Sequence, residues 1–305
     1  MATYLITQAT GHQSQWTITH LLAAGAKVHA IVRDPSKVPD VLKSPGVTIF
    51  QGESVNFDDV FRAAQGCAAV YLNTFPIPGL ETRQAETIAA AARRAGVRSV
   101  VASTTMGAGD RTLWDDAVTE ECHLRGYFAS KAAVEDVVRG AGFEAWTILR
   151  PAFLHVDYLL PGAHQNLPRL PTHGELDHFF DAGARLPQTD ASDVGRYAAA
   201  ALRDPARFAG HAIDLAAENL TIGEVRDVLA RVSGRDDVAT RRLRLGETEP
   251  VFGQLFQVWA NFKDLAPVVA ATRDAVARFG IPVTSLEDAL RRDRSRLLEC
   301  LPARE

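Results

Sequence analysis

Over its first half the chain alternates short apolar runs with helix-length amphipathic stretches. Thr3 to Thr7 is a compact apolar run without period-two alternation, which predicts a strand covered on both faces. Ser14 to Ala24 reads as a helix, with Gly25 just past its last turn, where a left-handed residue is usual. Lys27 to Arg33 predicts a second strand, and Pro35 a helix start after it. Further strands are expected at Val47 to Gln51, Ala68 to Asn73, Val97 to Ser103 and Ala145 to Leu149. Helices are expected at Asp58 to Ala64, Glu81 to Ala95 and around Lys131 to Arg139, ended near Gly66, at Gly96 and by Gly140 and Gly142. Strand and helix in strict alternation is the signature of a parallel sheet covered by helices.

After Pro151 the texture changes. Prolines and glycines crowd the stretch to Pro205, which reads as loops with short elements on the substrate side. Ser192 to Arg203 is expected as a helix, His211 to Ala216 as a strand, and Thr221 to Ser233 as a helix opened by the capping box Thr221-x-x-Glu224. The remainder reads as helical, with breaks at Pro250, Pro267 and Pro282. The expected fold class is α/β, a doubly wound Rossmann-type parallel sheet. Residues 1–150 would form the dinucleotide-binding domain and 151–305 a smaller, helix-rich substrate portion, with about 190–216 returning to the sheet.

Composition narrows the function classes. The chain has 305 residues, 47% hydrophobic and 23% charged, which is ordinary for a globular protein with a full core. A net charge of −4 gives no bulk positive field for nucleic acid or an anionic membrane, so neither is expected as a partner. Cys67, Cys122 and Cys300 are far apart and odd in number, which fits neither a zinc site nor a disulfide framework. With no basic leader and no long apolar run, a cytoplasmic location is expected. His173 and His178 flank Glu175 and Asp177 but lack the i, i+4 spacing of a helical zinc site, so no metal is expected.

The first strand runs into Gln8-Ala9-Thr10-Gly11-His12-Gln13-Ser14, where a dinucleotide fold places G-x-x-G-x-x-G. The spacing is that of a phosphate loop, and Thr10, Gly11, His12 and Gln13 are its candidate contacts. Only Gly11 of the three glycines remains, so the loop is an altered one. Arg33 ends the second strand, with Lys37 four residues on. A carboxylate at that strand end would accept the ribose hydroxyls of NAD, whereas a guanidinium forks onto a 2′-phosphate, so the expected cofactor is NADP(H). His155, Asp157 and Tyr158 follow the sixth strand and are candidates for lining a substrate pocket.

The runs I-T-Q-A-T-G-H-Q-S, A-I-V-R-D-P-S-K and G-Y-F-A-S-K-A-A-V-E together resemble the NmrA-like branch of the atypical short-chain dehydrogenase/reductases. The resemblance extends through I-L-R-P-A-F-L at 148–154, Thr189 to Gly195 and L-T-I-G-E-V at 220–225, covering about residues 2–235. It implies a Rossmann-type NAD(P) domain with Asn73, Thr74 and Phe75 along the ligand, Phe75 on the substrate side, and Glu53 near the adenine. In reductases of the wider superfamily a Tyr-x-x-x-Lys pair moves the proton. Here that pair is Tyr127 and Lys131, with Ser103 or Thr104 as the third hydroxyl and Lys131 also holding the nicotinamide ribose.

The leading expectation is an NADP-dependent oxidoreductase reducing a carbonyl or an activated double bond of a small organic molecule. Two alternatives stay open. One is a non-catalytic NADP(H) sensor that signals through a regulatory protein partner, and a homodimer is the other protein association expected. The other is a cofactor-independent isomerase, cyclase or dehydratase on a former reductase scaffold.

Overall fold

A computed structural model describes residues 1–77 and 79–303. The strands, in chain order, are β1 (Thr3–Ile6), β2 (Lys27–Val32), β3 (Val47–Gln51), β4 (Ala69–Leu72), β5 (Ser99–Ser103) and β6 (Ala145–Pro151). They continue with β7 (Phe153–Leu154), β8 (Glu175–His178), β9 (Leu186–Thr189), β10 (His211–Leu215), β11 (Glu218–Leu220) and β12 (Ala239–Arg242). Seven form one sheet in the order β10-β6-β5-β4-β1-β2-β3. Tyr4 of β1 lies between Val28 and Ala69 in two parallel pairings, so β1 is central. The order turns back between β1 and β4, and in such sheets ligands bind beyond the carboxyl ends of the strands at that point.

The chain divides into two compact units, residues 1–109, 126–151 and 191–214 forming the first and 110–125, 152–190 and 215–305 the second. In the first unit Val70, Leu72, Val100, Ala102 and Ile148 of the sheet pack against Ile88, Ala91 and Ala92 of helix Leu80–Arg94 and against Val134 and Val138 of helix Arg125–Gly140. Alanines let the first of these helices lie close to the strands. Elsewhere in the unit, helix His12–Ala23 meets helix Ala191–Arg203 at Gly195, where an added Cβ would stand 2.5 Å from the Trp16 carbonyl carbon. That crossing fixes the helix on which the first turn depends.

The second unit has a three-stranded sheet, β11-β9-β7, and a parallel pair, β12-β8. Its core gathers Leu159, Leu170, Leu176, Leu229, Leu286 and Leu297. The capping box at Thr221 and Glu224 opens helix Ile222–Ser233. Segment 110–125 is held in this unit by the Trp259 indole N–H, which donates to the Thr119 hydroxyl at 2.9 Å, and by the Lys263–Asp116 ion pair. The Lys263 hydrogen bond pulls the Asp116 carboxyl down to about 2.

Two expectations are corrected and one is located more closely. Pro35 opens only a single tight turn, Pro35–Lys37, none of whose residues is buried; Asp34 accepts from the Ser36 N–H, and no apolar face holds a helix there. The break expected at Pro267 falls just before it, at residues 261–265 between helices Phe252–Ala260 and Ala266–Phe279, and Pro267 itself sits in the first turn of the second, where its missing N–H costs nothing. Ala239–Arg242, expected within a helical remainder, is a strand with exposed side chains that pairs through its backbone with β8. Among the described residues no helix is long and apolar enough to cross a membrane.

Gly195→Ala drives a methyl into backbone rather than into a flexible side chain. It is expected to destabilise the protein by about 1–3 kcal/mol, read as a lower thermal midpoint, whereas Gly223→Ala, with its nearest neighbour 3.9 Å away, is expected to leave the midpoint nearly unchanged.

Candidate functional site

The site begins where β1 and β4 end side by side. The Thr7 hydroxyl donates to the carbonyls of Tyr71 (3.1 Å) and Asn73 (2.9 Å) and accepts from the Asn73 N–H at 2.9 Å, which ties the two strand ends together. The chain then turns through Gln8, whose φ of 47° lies in the left-handed region that favours glycine. The Gly11 N–H closes the turn onto the Gln8 carbonyl at 2.9 Å. Ser14 is fully buried and donates to the Thr7 carbonyl at 3.0 Å, so a serine fits where the motif has glycine. Helix His12–Ala23 starts at Gly11 without a side-chain cap and without an acidic residue in its first turn. An uncapped helix start of this kind favours an anion.

Beside this turn lies a cavity of about 210 Å³, formed by residues 8–10, the end of β2 with Arg33, the 52–55 segment, and Phe75, Ile77 and Gln84. Its volume is below the roughly 300–1,000 Å³ of a complete small-molecule site, which suits one end of an elongated ligand. Arg33 is exposed and lines it, as do Thr10 and Glu53; Lys37 does not, and pairs instead with Asp34 at 3.4 Å. The Phe75 N–H donates to the Gln84 side chain at 2.8 Å, holding the exposed Phe75 ring at the rim.

The residues expected to handle a proton are committed to internal partners. Ser103, 1% exposed, donates to the Gln13 side-chain oxygen at 2.6 Å, and the Tyr71 hydroxyl reaches the same oxygen at 3.4 Å. Thr104 donates to the buried Glu135 carboxylate at 3.0 Å. Tyr127 and Lys131 share a face of helix Arg125–Gly140, with the ammonium 5.6 Å from the Tyr127 ring centre. That ammonium is 2.5 Å from Glu81, a residue the sequence reading did not assign to the proton chemistry. Glu81 also accepts from Thr74 at 2.7 Å and from Ser130 at 2.8 Å. The one signal for it in the sequence is an acid in the first turn of a helix that follows a central strand. His12 is exposed, and Asn73 approaches the Ser14 hydroxyl at 3.5 Å.

The other candidates lie in the second unit. Tyr158 is packed in its core and donates to Gln188 at 3.1 Å. His155 is buried, its Nδ1 3.9 Å from Asp190, and Asp190 in turn pairs with Arg292 at 3.0 Å. Asp157 is half-buried, and burial pushes its carboxyl up to about 7. Asp177 accepts from the Arg169 N–H and the Gln254 amide, and Glu175 pairs with Arg169. Among the described residues no group of three His, Cys, Asp or Glu side chains is placed to hold a metal ion.

This sheet order and first turn define a Rossmann-type protein. The NmrA-like family model matches residues 2–245, and the chain belongs to that family. No curated protein matches the sequence. Among solved structures, the NmrA negative transcriptional regulator, as a double variant with asparagine and alanine changed to glycine six positions apart, is 23% identical. It covers 95% of this chain and 94% of its own, with a TM-score of 0.75. The NADPH-dependent quinone oxidoreductase of Escherichia coli, solved with NADPH, is 20% identical over 95% of this chain and 99% of its own, with a TM-score of 0.69. The triphenylmethane reductase of a Citrobacter species, solved with NADP(H), is 19% identical over the same shares, also at 0.69.

Two outcomes follow from the local chemistry. Gln8→Gly relieves a left-handed side-chain residue and is expected to raise stability by about 1 kcal/mol, read as a higher thermal midpoint. Asp157 is protonated more readily in the fold than in the unfolded chain, so its contribution is intact below the ordinary carboxylate range and is lost as pH rises through about 7. Asp157→Asn is therefore expected to melt higher than the unmodified protein at pH 8 and level with it at pH 4.

Proposed function

We propose that the chain binds NADP(H) along the carboxyl edge of the seven-stranded sheet and passes a hydride to a small organic acceptor. The observation that carries this reading is Arg33, exposed at the end of β2 and lining the cavity beside the Gln8 to Gly11 turn. A guanidinium there presents a fork to a 2′-phosphate. The uncapped start of helix His12–Ala23 supplies N–H groups and a favourable dipole for pyrophosphate. The residues present therefore fit the cofactor.

Loss of two glycines does not argue against it. The NmrA regulator, solved with NAD and with NADP, has a variant that restores glycine at two positions six apart, the same separation as Gln8 and Ser14. A bound reduced nicotinamide would supply the hydride. Arg33, Thr10 and the first helical turn would anchor the adenosine and pyrophosphate, while Asn73 and Thr74 lie at the end of β4 on the way to Tyr127 and Lys131. The oxidoreductase neighbours, named for quinone and for triphenylmethane, support an electron-poor acceptor.

A second reading is favoured by one observation. Lys131 faces a carboxylate, which suits a binder without proton chemistry, as the regulator neighbour suggests.

Calorimetric titration tests the proposal. NADPH is expected to bind at least tenfold more tightly than NADH, and Arg33→Ala to abolish that preference while leaving NADH affinity unchanged, in line with about 1.5–3 kcal/mol for a hydrogen bond to a charged group. No heat with either nucleotide at millimolar concentration overturns both nucleotide readings. Turnover on a panel of quinones and carbonyls separates enzyme from sensor.

A further inference from the structure

We infer that Glu81 is a positioning residue that holds the Lys131 ammonium away from service to Tyr127. The ammonium lies 5.6 Å from the tyrosine ring centre but 2.5 Å from Glu81 Oε1. Every contact favours this arrangement. Glu81 Oε1 also accepts from the Thr74 hydroxyl at 2.7 Å, and Oε2 accepts from the Ser130 hydroxyl at 2.8 Å. Glu81 is 1% and Lys131 5% exposed, so both charges are largely removed from bulk solvent. Turning Glu81 aside would strand three buried donors, each costly to leave unmade. The helix that starts at Leu80 further favours a carboxylate in its first turn.

A lone ammonium beside a phenol favours the phenolate; an ammonium bound to a carboxylate presents a dipole whose field at the ring is far weaker. Lys131 on its own helix bears on the ring, the Phe128 ring meets it edge-on, and Glu81 on helix Leu80–Arg94 acts on it through Lys131. The pair spaced for acid catalysis is electrostatically disarmed. Resting on the proposed hydride transfer, this favours acceptors whose reduced form is a stabilised anion that takes its proton from water, such as quinones, over simple ketones.

Phenolate absorbance of the protein without nucleotide tests Glu81 independently of cofactor binding. Burial holds Tyr4, Tyr71, Tyr158 and Tyr197 above the ordinary phenol range, and the Tyr127 signal is defined as the part of the absorbance lost in Tyr127→Phe. In Glu81→Gln that signal is expected to rise about tenfold at a pH where the unmodified protein shows little. In Glu81→Gln with Lys131→Met it is expected to return to the unmodified level. Equal signals in Glu81→Gln and the unmodified protein overturn the assignment. Where Glu81→Gln fails to fold, the double variant decides, because removing both charges of a buried pair is tolerated far better than removing one. A signal equal to that of the unmodified protein supports the assignment, and a several-fold lower one, showing that Lys131 already acts on the phenol, overturns it.

Discussion

A carboxylate taken out of water must be paired, and two such carboxylates hold the first unit together at helix Arg125–Gly140. Glu135, fully buried on that helix, accepts from Thr104 at 3.0 Å, from Arg139 at 2.7 Å and from both Nε and Nη2 of Arg150 at 2.8 and 2.7 Å. Burial alone would raise its carboxyl, but the arginines and Thr104 outweigh it and hold it below the usual range. Glu81 makes the complementary clamp from the neighbouring helix through Ser130 and Lys131. Removing one partner of such a set costs about 3–5 kcal/mol, because the remaining charge stays buried and unpaired. The ends of β4, β5 and β6 are thereby locked to one helix.

The same locks shape the chemistry. Thr104 is held by Glu135, Lys131 by Glu81 and Ser103 by Gln13, so the groups expected from the sequence to handle a proton serve the fold. What the first unit leaves open is the other end of the edge, the cavity beside Gln8, Thr10 and Arg33.

Much of the fold was legible because its rules are local. Apolar runs, Gly25 after the first helix and the Thr221 capping box each act within a few residues, and the doubly wound order follows from strands alternating with helices. The first turn was legible for the same reason: its altered glycines are adjacent in sequence, and Gln8 adopts the left-handed φ that its position requires. The carboxylate clamps were not legible. Glu81 meets Lys131 across 50 residues and Glu135 meets Thr104 across 31, and nothing in either segment marks an acid as buried. β12 was missed because its four side chains are all exposed and only its backbone pairs with β8.

Charge makes the last step. A net charge of −4 says nothing about ligands until each charge is placed. Lys37, four residues from Arg33 in sequence, faces Asp34, and Asp34 is held below the usual carboxylate range first by its hydrogen bond to Ser36, so it stays available as a partner. Lys131 is neutralised by Glu81. Of the basic residues singled out along the sheet edge, Arg33 alone lines the cavity. A surface lysine is a compact point charge, whereas a guanidinium presents a planar fork that matches a phosphate, so of these three basic side chains the one that lines the cavity is also the one whose shape suits a phosphate.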